Sequence, residues 1–515
     1  MSYFEKAIDA PGEAKAAGMG VEAYARQARY AFFQSLDCDR IATAHTLSDS
    51  VETMLFRLAR GTGLRGLTGI APVRGKIIRP LLDCTGEEVR AACTVLHIDM
   101  DAFFASLEVA RHPEYADKPV IIGIGNRSVV SAANYEARKY GINSAMASSR
   151  ARKLCPNGVF LPVDIHYYRE MSRRIFTEVF SRVTDRIEQV SVDECYMDVS
   201  GALLRWKSPR AIGAWIRDQV ARRYHITCSV GIAANKLVAK MASTNAKPDG
   251  MLMIPVARHA EFVQMMPLRG IPGIGPSLEK RLNAWGVDSV ADLAKMSMES
   301  LGQATGSAIS ARGLYMAARG LDDRPVAPRA QEKSVGAERT FDKDTQDMRQ
   351  VTSMLRWCCD DVAGTLRRRG LMARKVMVKL RFPDLSYATK GHTLDCPTDA
   401  ASMLYPQCVA LLLAMMGMPE SSIDAISLTR PVRLAGMSAG GLVEAADAAV
   451  QLSLDDMLEE QNEAQRGRGT DTEPSTQSER LRGAEAALDA VRLKYGKGSV
   501  RLGIWRTGPS GNLEH

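Results

Sequence analysis

Among the ten cysteines of this 515-residue chain there is no CxxC pair, and only Cys358 and Cys359 stand close together. Neither zinc-ligand spacing nor a disulfide framework is indicated. Long apolar runs are missing as well. The longest, CVALLLAMMGM from Cys408, has about half the length that a bilayer crossing requires. The opening MSYFEKAIDA has neither the basic start nor the apolar run of a signal peptide, so a cytoplasmic location is expected. Charge is only mildly unbalanced, at a formal +8, which suits a polyanionic partner but is equally common in metabolic enzymes. What is present is an ordinary soluble composition, 46% hydrophobic and 24% charged, which argues against wholesale disorder. At about 100 to 200 residues per domain the length implies several domains.

The pattern along the chain divides accordingly. Residues 1–92 are mostly helical in pattern. Residues 93–260 alternate strand runs (TVLHID, KPVIIGIG, IEQVSVDECYMDVS, ITCSVGIA) with helical ones, which predicts a mixed α/β domain. Short helices punctuated by glycine fill 261–320, a linker covers 321–333, and a second α/β unit is expected over 334–435. The stretch EEQNEAQRGRGTDTEPSTQSER reads as a disordered tether within a tail over 436–515, in which AEAALDAVRLKYG could form a helix capped by Gly496.

In TVLHIDMDAFF the period of a strand puts Asp99 and Asp101 on one face at its C-terminal end. The alternation of IEQVSVDECYMDVS predicts a hairpin with Asp193 and Glu194 at its bend. Acidic residues in turns are common for conformational reasons alone. Carboxylates gathered from separate strands are another matter: they repel and lose hydration, a cost that divalent cations held between them relieve. Two such ions can serve phosphoryl transfer.

HIDMDAFFASLE, SAANYEARKYGI, LPVDIHYYR, SVDECYMDVS, SVGIAANKLVAKMAS and NAKPDG, in that order, resemble the successive motifs of Y-family DNA polymerases of the bacterial DNA polymerase IV type, from about Thr94 to Leu434. The resemblance implies an α/β right hand: a palm with fingers inserted at about 102–164, a helix-hairpin-helix thumb and a little finger. It implies DNA-directed, low-fidelity synthesis past damaged bases, with primer–template DNA and dNTPs as partners and two Mg²⁺ ions. Asp99, Asp193, Glu194 and the backbone carbonyl of Met100 match the metal ligands, whereas Asp101 is not one of the usual ones. Phe104 matches the steric gate against a ribonucleotide's 2′-hydroxyl, with Phe103 beside it and expected to pack beneath. Tyr135 and Arg138, three apart and so on one helical face, match residues that hold the triphosphate, as does Lys247. Ala132 stands where the family usually has a hydroxyl. No segment resembles a 3′ to 5′ exonuclease, so proofreading is not expected.

LRGIPGIGPSLEKRLNAWGV resembles the helix-hairpin-helix, in which Gly273 and Gly275 let the backbone approach a phosphate. In RKVMVKLRF, Val376, Val378, Leu380 and Phe382 share one face and Lys375, Lys379 and Arg381 the other. With Arg367, Arg368 and Arg369 of LRRRG they form the basic surface expected to meet the duplex. QLSLDDM resembles sliding-clamp peptides, with Gln451, Leu452 and Leu454 as anchors but Asp455 where an aromatic or leucine is expected. A monomer is expected.

The first ninety or so residues resemble a different family. YARQARYAFF, IATAHTLSDSVETMLFRLARGTGLRGLTGI and IIRPLLDCTGEEVR are similar to tRNA(Ile)-lysidine synthetase, an ATP-dependent enzyme of the N-type ATP pyrophosphatase superfamily. His45 and Asp49 fall in its AHxxxD-type motif, with Ser48 and Ser50 at positions that are usually acidic and amide-bearing. Val51, Leu55 and Leu58 give an apolar helical face that Gly61 ends. The SGGxDS phosphate loop and the strand before it are lacking, so a truncated, inactive α/β segment with an exposed sheet edge is expected. A tRNA-modifying ligase and a non-catalytic DNA- or clamp-binding scaffold are the alternative readings. The missing loop disfavours the first, and the retained carboxylates disfavour the second.

Overall fold

The structure is a computed structural model, and it describes residues 8–36, 38–43, 45, 50–55, 70, 71, 73, 74, 76–79, 82, 94–125, 127–328, 332–419, 421, 422, 425–446 and 477–495. In the N-terminal segment, α1 (Ala10–Ala16) and α2 (Val21–Ser35) precede three two-residue strands, β1 (Ile41–Ala42), β2 (Val73–Arg74) and β3 (Ile77–Ile78). These form a sheet of order β1-β3-β2, with β1 parallel to β3. Residues 50–55 are helical, and Val51 and Leu55 on the predicted apolar face are 46% and 60% exposed. Leu58, Gly61, Ser48 and Asp49 lie outside the described residues, as do Gln451, Leu452, Leu454 and Gly496.

The predicted α/β domain is built on a sheet of order β11-β10-β4-β9-β8. Its strands are β4 (Val95–Met100), β8 (Ile187–Gln189), β9 (Glu194–Asp198), β10 (Cys228–Ala233) and β11 (Met251–Met253). The central strand β4 runs antiparallel to both β9 and β10. Both sheet faces are covered, which explains why TVLHID reads as a nearly continuous apolar run. Leu96, Ile98 and Met100 pack with Cys195, Met197, Val230 and Ile232 into one core. Val95 faces the other way, with Tyr196 and Ala233, under α8 (Lys236–Ala246). His97 and Asp99 share that second face, so the strand's polar residues lie on the α8 side.

A smaller sheet of order β6-β5-β7, built from β5 (Val120–Ile122), β6 (Ala132–Ala133) and β7 (Val159–Leu161), follows α3 (Phe103–Arg111). α4 (Tyr135–Arg138) begins where Asn134 caps it by accepting from Ala137 N–H at 2.9 Å. α5 (Ser148–Leu154) follows, and then α6 (Ile165–Glu178), N-capped by Asp164 of the LPVDIHYYR motif. α7 (Pro209–Tyr224) closes the far face of the main sheet. After α9 (His259–Gln264) the glycine-punctuated stretch folds as α10 (Pro276–Asn283), α11 (Val290–Lys295), α12 (Met298–Thr305) and α13 (Ala308–Ala317).

The chain's second unit is a four-stranded antiparallel sheet of order β12-β15-β13-β14, from β12 (Ser334–Asp347), β13 (Leu371–Arg381), β14 (Tyr387–Thr398) and β15 (Ser427–Glu444). One face is covered by α14 (Met348–Arg368) and α15 (Ala401–Met415). The alternation predicted for β13 is present: Val376, Val378, Leu380 and Phe382 are core, while Lys375 and Met377 are exposed. β15 runs to Glu444, so a boundary at 435 cuts through a strand and is corrected outward.

A further helix, α16 (Gln477–Tyr495), packs on α14. Its Glu485 accepts from Ala401 and Ser402 N–H at 2.8 and 2.9 Å, capping α15, whose own N-cap Ala400 has no side chain to do so. Arg367 donates to Glu485 at 2.6 Å, to Asp489 at 2.7 Å and to the Asp399 carbonyl at 2.7 Å. This overturns the expectation that Arg367 faces DNA, because its guanidinium is spent inside the domain. Among the described residues no helix is long and apolar enough to cross a membrane.

Candidate active site

The strand register brings the carboxylates together. Asp99 on β4 lies directly opposite Glu194, the first residue of β9. Asp193 sits in the bend just before it, and its carbonyl accepts the Met100 N–H at 3.0 Å. The expected hairpin is thus present, with Glu194 on the strand rather than in the bend.

Each carboxylate is held through one oxygen. Asp99 Oδ1 accepts from Lys247 Nζ at 2.5 Å, and Asp193 Oδ1 from the Ser191 hydroxyl at 2.5 Å. Glu194 Oε1 takes both Lys240 Nζ and His97 Nε2, the latter at 2.7 Å. The second oxygens, Asp99 Oδ2, Asp193 Oδ2 and Glu194 Oε2, accept no hydrogen bond among the described residues. No three carboxylate, imidazole or thiolate groups among them converge as a closed metal cage, and two of the three carboxylates lean onto lysines instead. The donor set, hard carboxylate oxygens each with one free lone-pair side, fits Mg²⁺ or Mn²⁺.

The electrostatics differ between the two strand carboxylates. Burial pushes Asp99 above its ordinary value, with Asp193 and Glu194 adding to the rise and Lys247 opposing it. Burial also works to raise Glu194, but the His97 and Lys240 donors outweigh it and hold that carboxyl at about 2. Burial lowers His97, so a neutral imidazole serves as the donor.

Asp101 is 1% exposed and plays another part. It accepts from the Thr227 and Ser229 hydroxyls and from the Asp249 N–H, each at 2.9 Å. The NAKPDG loop, and with it Lys247, is thereby tied to the strand that carries Asp99.

Ala102, between the aspartates and the rings, adopts the left-handed conformation at φ 46° before α3 begins. For a residue with a Cβ this costs about 1 to 2 kcal/mol. The bend drives the Phe103 ring into the core at 2% exposure and leaves Phe104 partly open. Phe104 stacks on Tyr168 at 4.3 Å with planes 15° apart. Tyr168 is fully buried and donates to Glu108 at 2.8 Å, which makes a rigid backing. Tyr135 and Arg138 meet as their spacing predicts, with the guanidinium 4.5 Å from the ring centre. Burial, reinforced by the Asp101 carboxylate, pushes the Tyr135 phenol up to about 12, so it remains a donor.

Gly273 has φ 101°, with open space where a Cβ would stand. Gly275 precedes α10 without any side-chain cap, so the first N–H groups of that helix lack a capping partner. Arg369 pairs with Glu332, and Arg368 is exposed. On β13, Lys379 pairs with Glu338 at 2.8 Å, and Arg381 stacks over Tyr387 at 4.8 Å. Residues that the sequence did not single out are His97, Lys240, Ser243 and Tyr168. All four lie within quoted motifs, and the available signal was a polar residue inside an otherwise buried run.

Comparison with known proteins agrees with this geometry. Residues 98–244 match the impB/mucB/samB family, and 332–454 match that family's C-terminal domain. Residues 269–322 match the DNA polymerase-iota thumb domain, and 4–101 match the PP-loop domain. A solved Y-family DNA polymerase chimera superposes with a TM-score of 0.61 at 26% identity, covering 68% of this chain and 99% of its own. The main-sheet carboxylates, the thumb and the second four-stranded unit thus define a Y-family DNA polymerase, a DNA-directed DNA polymerase by class.

The nearer relatives narrow the class. DNA polymerase IV of Desulfatibacillum aliphaticivorans is 36% identical over 408 residues, 79% of this chain and 95% of the relative. That of Methanoculleus marisnigri is 40% identical over 348 residues, 67% and 92%. The chain belongs to the DNA polymerase IV family, preceded by a PP-loop segment like that of tRNA(Ile)-lysidine synthetase.

Proposed function

We propose that the chain extends a primer on damaged template DNA, by nucleotidyl transfer that depends on two Mg²⁺ ions and is not followed by proofreading. The observation that carries this reading is the set of three carboxylates from β4, the bend before β9 and the start of β9, each pinned by one oxygen and presenting the other. Asp99, Asp193, Glu194 and the Met100 carbonyl would hold the metals, which when bound activate the primer hydroxyl and neutralise the leaving pyrophosphate. Tyr135, Arg138 and Lys247 donate to the triphosphate. Phe103 contributes its main-chain N–H at the start of α3 rather than its ring. Phe104, braced by Tyr168, excludes a 2′-hydroxyl.

The glycine turn before α10 supports a sequence-independent grip on a backbone phosphate. On the outer sheet face of the second unit, Lys375 and Met377 lie beside Gly440 and Ser438 of β15. Small residues there permit close approach of a duplex backbone, while Lys375, Lys379, Arg381, Arg368 and Arg369 supply charge. Clamp docking through Gln451, Leu452 and Leu454 would raise the local concentration of a weakly held enzyme.

Primer extension with Mg²⁺ and dNTPs, wild type against Asp193→Ala, tests the reading. Loss of extension by several orders of magnitude in the variant is expected, and equal activity would overturn the assignment.

A further inference from the structure

His97 is an unusual residue to bury. It lies at 0% exposure in the central strand between Leu96 and Ile98, where an apolar side chain would pack without any polar cost. Its surroundings fix the ring completely. Nδ1 is 2.6 Å from the Ser243 hydroxyl, Nε2 is 2.7 Å from Glu194, and the ring edge meets Tyr196 at 4.7 Å and 61°.

The backbone is shaped to allow this. Gly231, opposite His97 in β10, carries α8 directly above it. A Cβ there would stand 1.9 Å from the Ala239 carbonyl and 2.4 Å from the Ser243 nitrogen. Glycine is therefore the condition for Ser243 and Lys240, three apart on that helix, to reach the imidazole and the carboxylate.

We propose that His97 is a positioning residue for Glu194, locking Oε1 so that Oε2 is presented as the metal-ligand oxygen. The proposal rests on the reading that Glu194 binds a divalent cation. Nε2 faces a carboxylate oxygen and so carries a proton whichever way the Ser243 hydroxyl turns. Lys240 alone could not fix the carboxylate, because an ammonium on a 29% exposed flexible stem pivots without preferring one geometry. An imidazole wedged between Ser243 and Tyr196 cannot pivot. Partners of this kind, behind a metal ligand, typically govern affinity by about 10- to 100-fold.

The test uses the full chain with Mn²⁺ as probe, bound without nucleotide and read by electron paramagnetic resonance. His97→Leu is expected to weaken Mn²⁺ binding by about 10- to 100-fold. His97→Gln, whose amide nitrogen can take the place of Nε2, is expected to restore most of it. In primer extension, His97→Leu should raise the metal concentration needed for half-maximal rate while leaving the dNTP KM near its original value. Ser243→Ala frees the ring from its far side and should give a smaller loss in the same direction, which keeps the idea testable if His97→Leu does not fold.

Wild-type Mn²⁺ affinity in folded His97→Leu, or equal impairment in the leucine and glutamine variants, overturns the proposal. Glu194→Ala locates the failure. If it loses Mn²⁺ while His97→Leu does not, only the role of His97 falls; if it too binds normally, the metal-site reading falls.

Discussion

Replacing Lys247 with alanine should move two affinities in opposite directions. The ammonium sits 2.5 Å from Asp99 Oδ1, and the two side chains are 27% and 19% exposed, so the pair is partly but not fully screened. A hydrogen bond between charged groups contributes about 1.5 to 3 kcal/mol, and partial exposure favours the lower end. A cation arriving at the free Oδ2 of Asp99 meets the repulsion of that ammonium on Oδ1. Removing about 1.5 kcal/mol of competition corresponds to roughly tenfold tighter Mn²⁺ binding without nucleotide.

With dNTP present, the released lysine is expected to meet the triphosphate. Its loss then removes a charge-assisted contact, raising the dNTP KM by about tenfold or more. Calorimetric titration with Mn²⁺ and steady-state primer extension read the two effects separately. Weaker or unchanged Mn²⁺ binding together with an unchanged dNTP KM would refute the reasoning and leave Lys247 as a structural partner of Asp99.

Phe104→Ala should increase ribonucleotide incorporation, because it removes the ring that Tyr168 holds in a stacked position; unchanged sugar selectivity in single-nucleotide insertion would mean the gate lies elsewhere. Arg367→Ala removes the charged partner of the buried Glu485 inside the second unit, and breaking a buried pair of this kind costs about 3 to 5 kcal/mol, visible as a lower denaturant midpoint. Burial works to raise Glu485, but two backbone N–H donors and Arg367 hold it below its usual value. Its contribution to stability is therefore present above the unfolded value of about 4.3 and is lost as the pH falls through the lower folded one. Glu485→Gln should flatten that acid-side loss in thermal melts, and an unchanged pH profile would count against the network.

How much was legible depended on whether a residue's role was carried by its own strand. The Asp99 and Asp193–Glu194 pairs could be placed because period-two alternation and a hairpin fix both face and position. The face of Lys375, Lys379 and Arg381 followed from the same rule. Arg367 fails for the opposite reason. In LRRRG it is indistinguishable by charge from Arg368, and what separates them is a helix more than a hundred residues later. Nothing local in AEAALDAVRLKYG announces that Glu485 will cap a helix beginning at Ala401. The 435 boundary failed because β15 continues through the glycines and small residues of LAGMSAGG.

His97 shows the limit from the other side. Its neighbours Leu96 and Ile98 declare a buried strand, and in such a run a histidine reads simply as one more residue on the covered face. What gives it meaning is the glycine opposite, since only Gly231 brings Ser243 and Lys240 within reach. The carboxylates that catch the eye in the motif are thus only half of the arrangement. The oxygens they offer are free because others are already taken, and the residues that take them come from β4 itself, from the bend before β9, from α8 and from the loop that Asp101 fastens. A change at Gly231, which offers no ligand oxygen itself, should accordingly disturb the site through α8 more than a conservative change at Asp101 disturbs it through the loop.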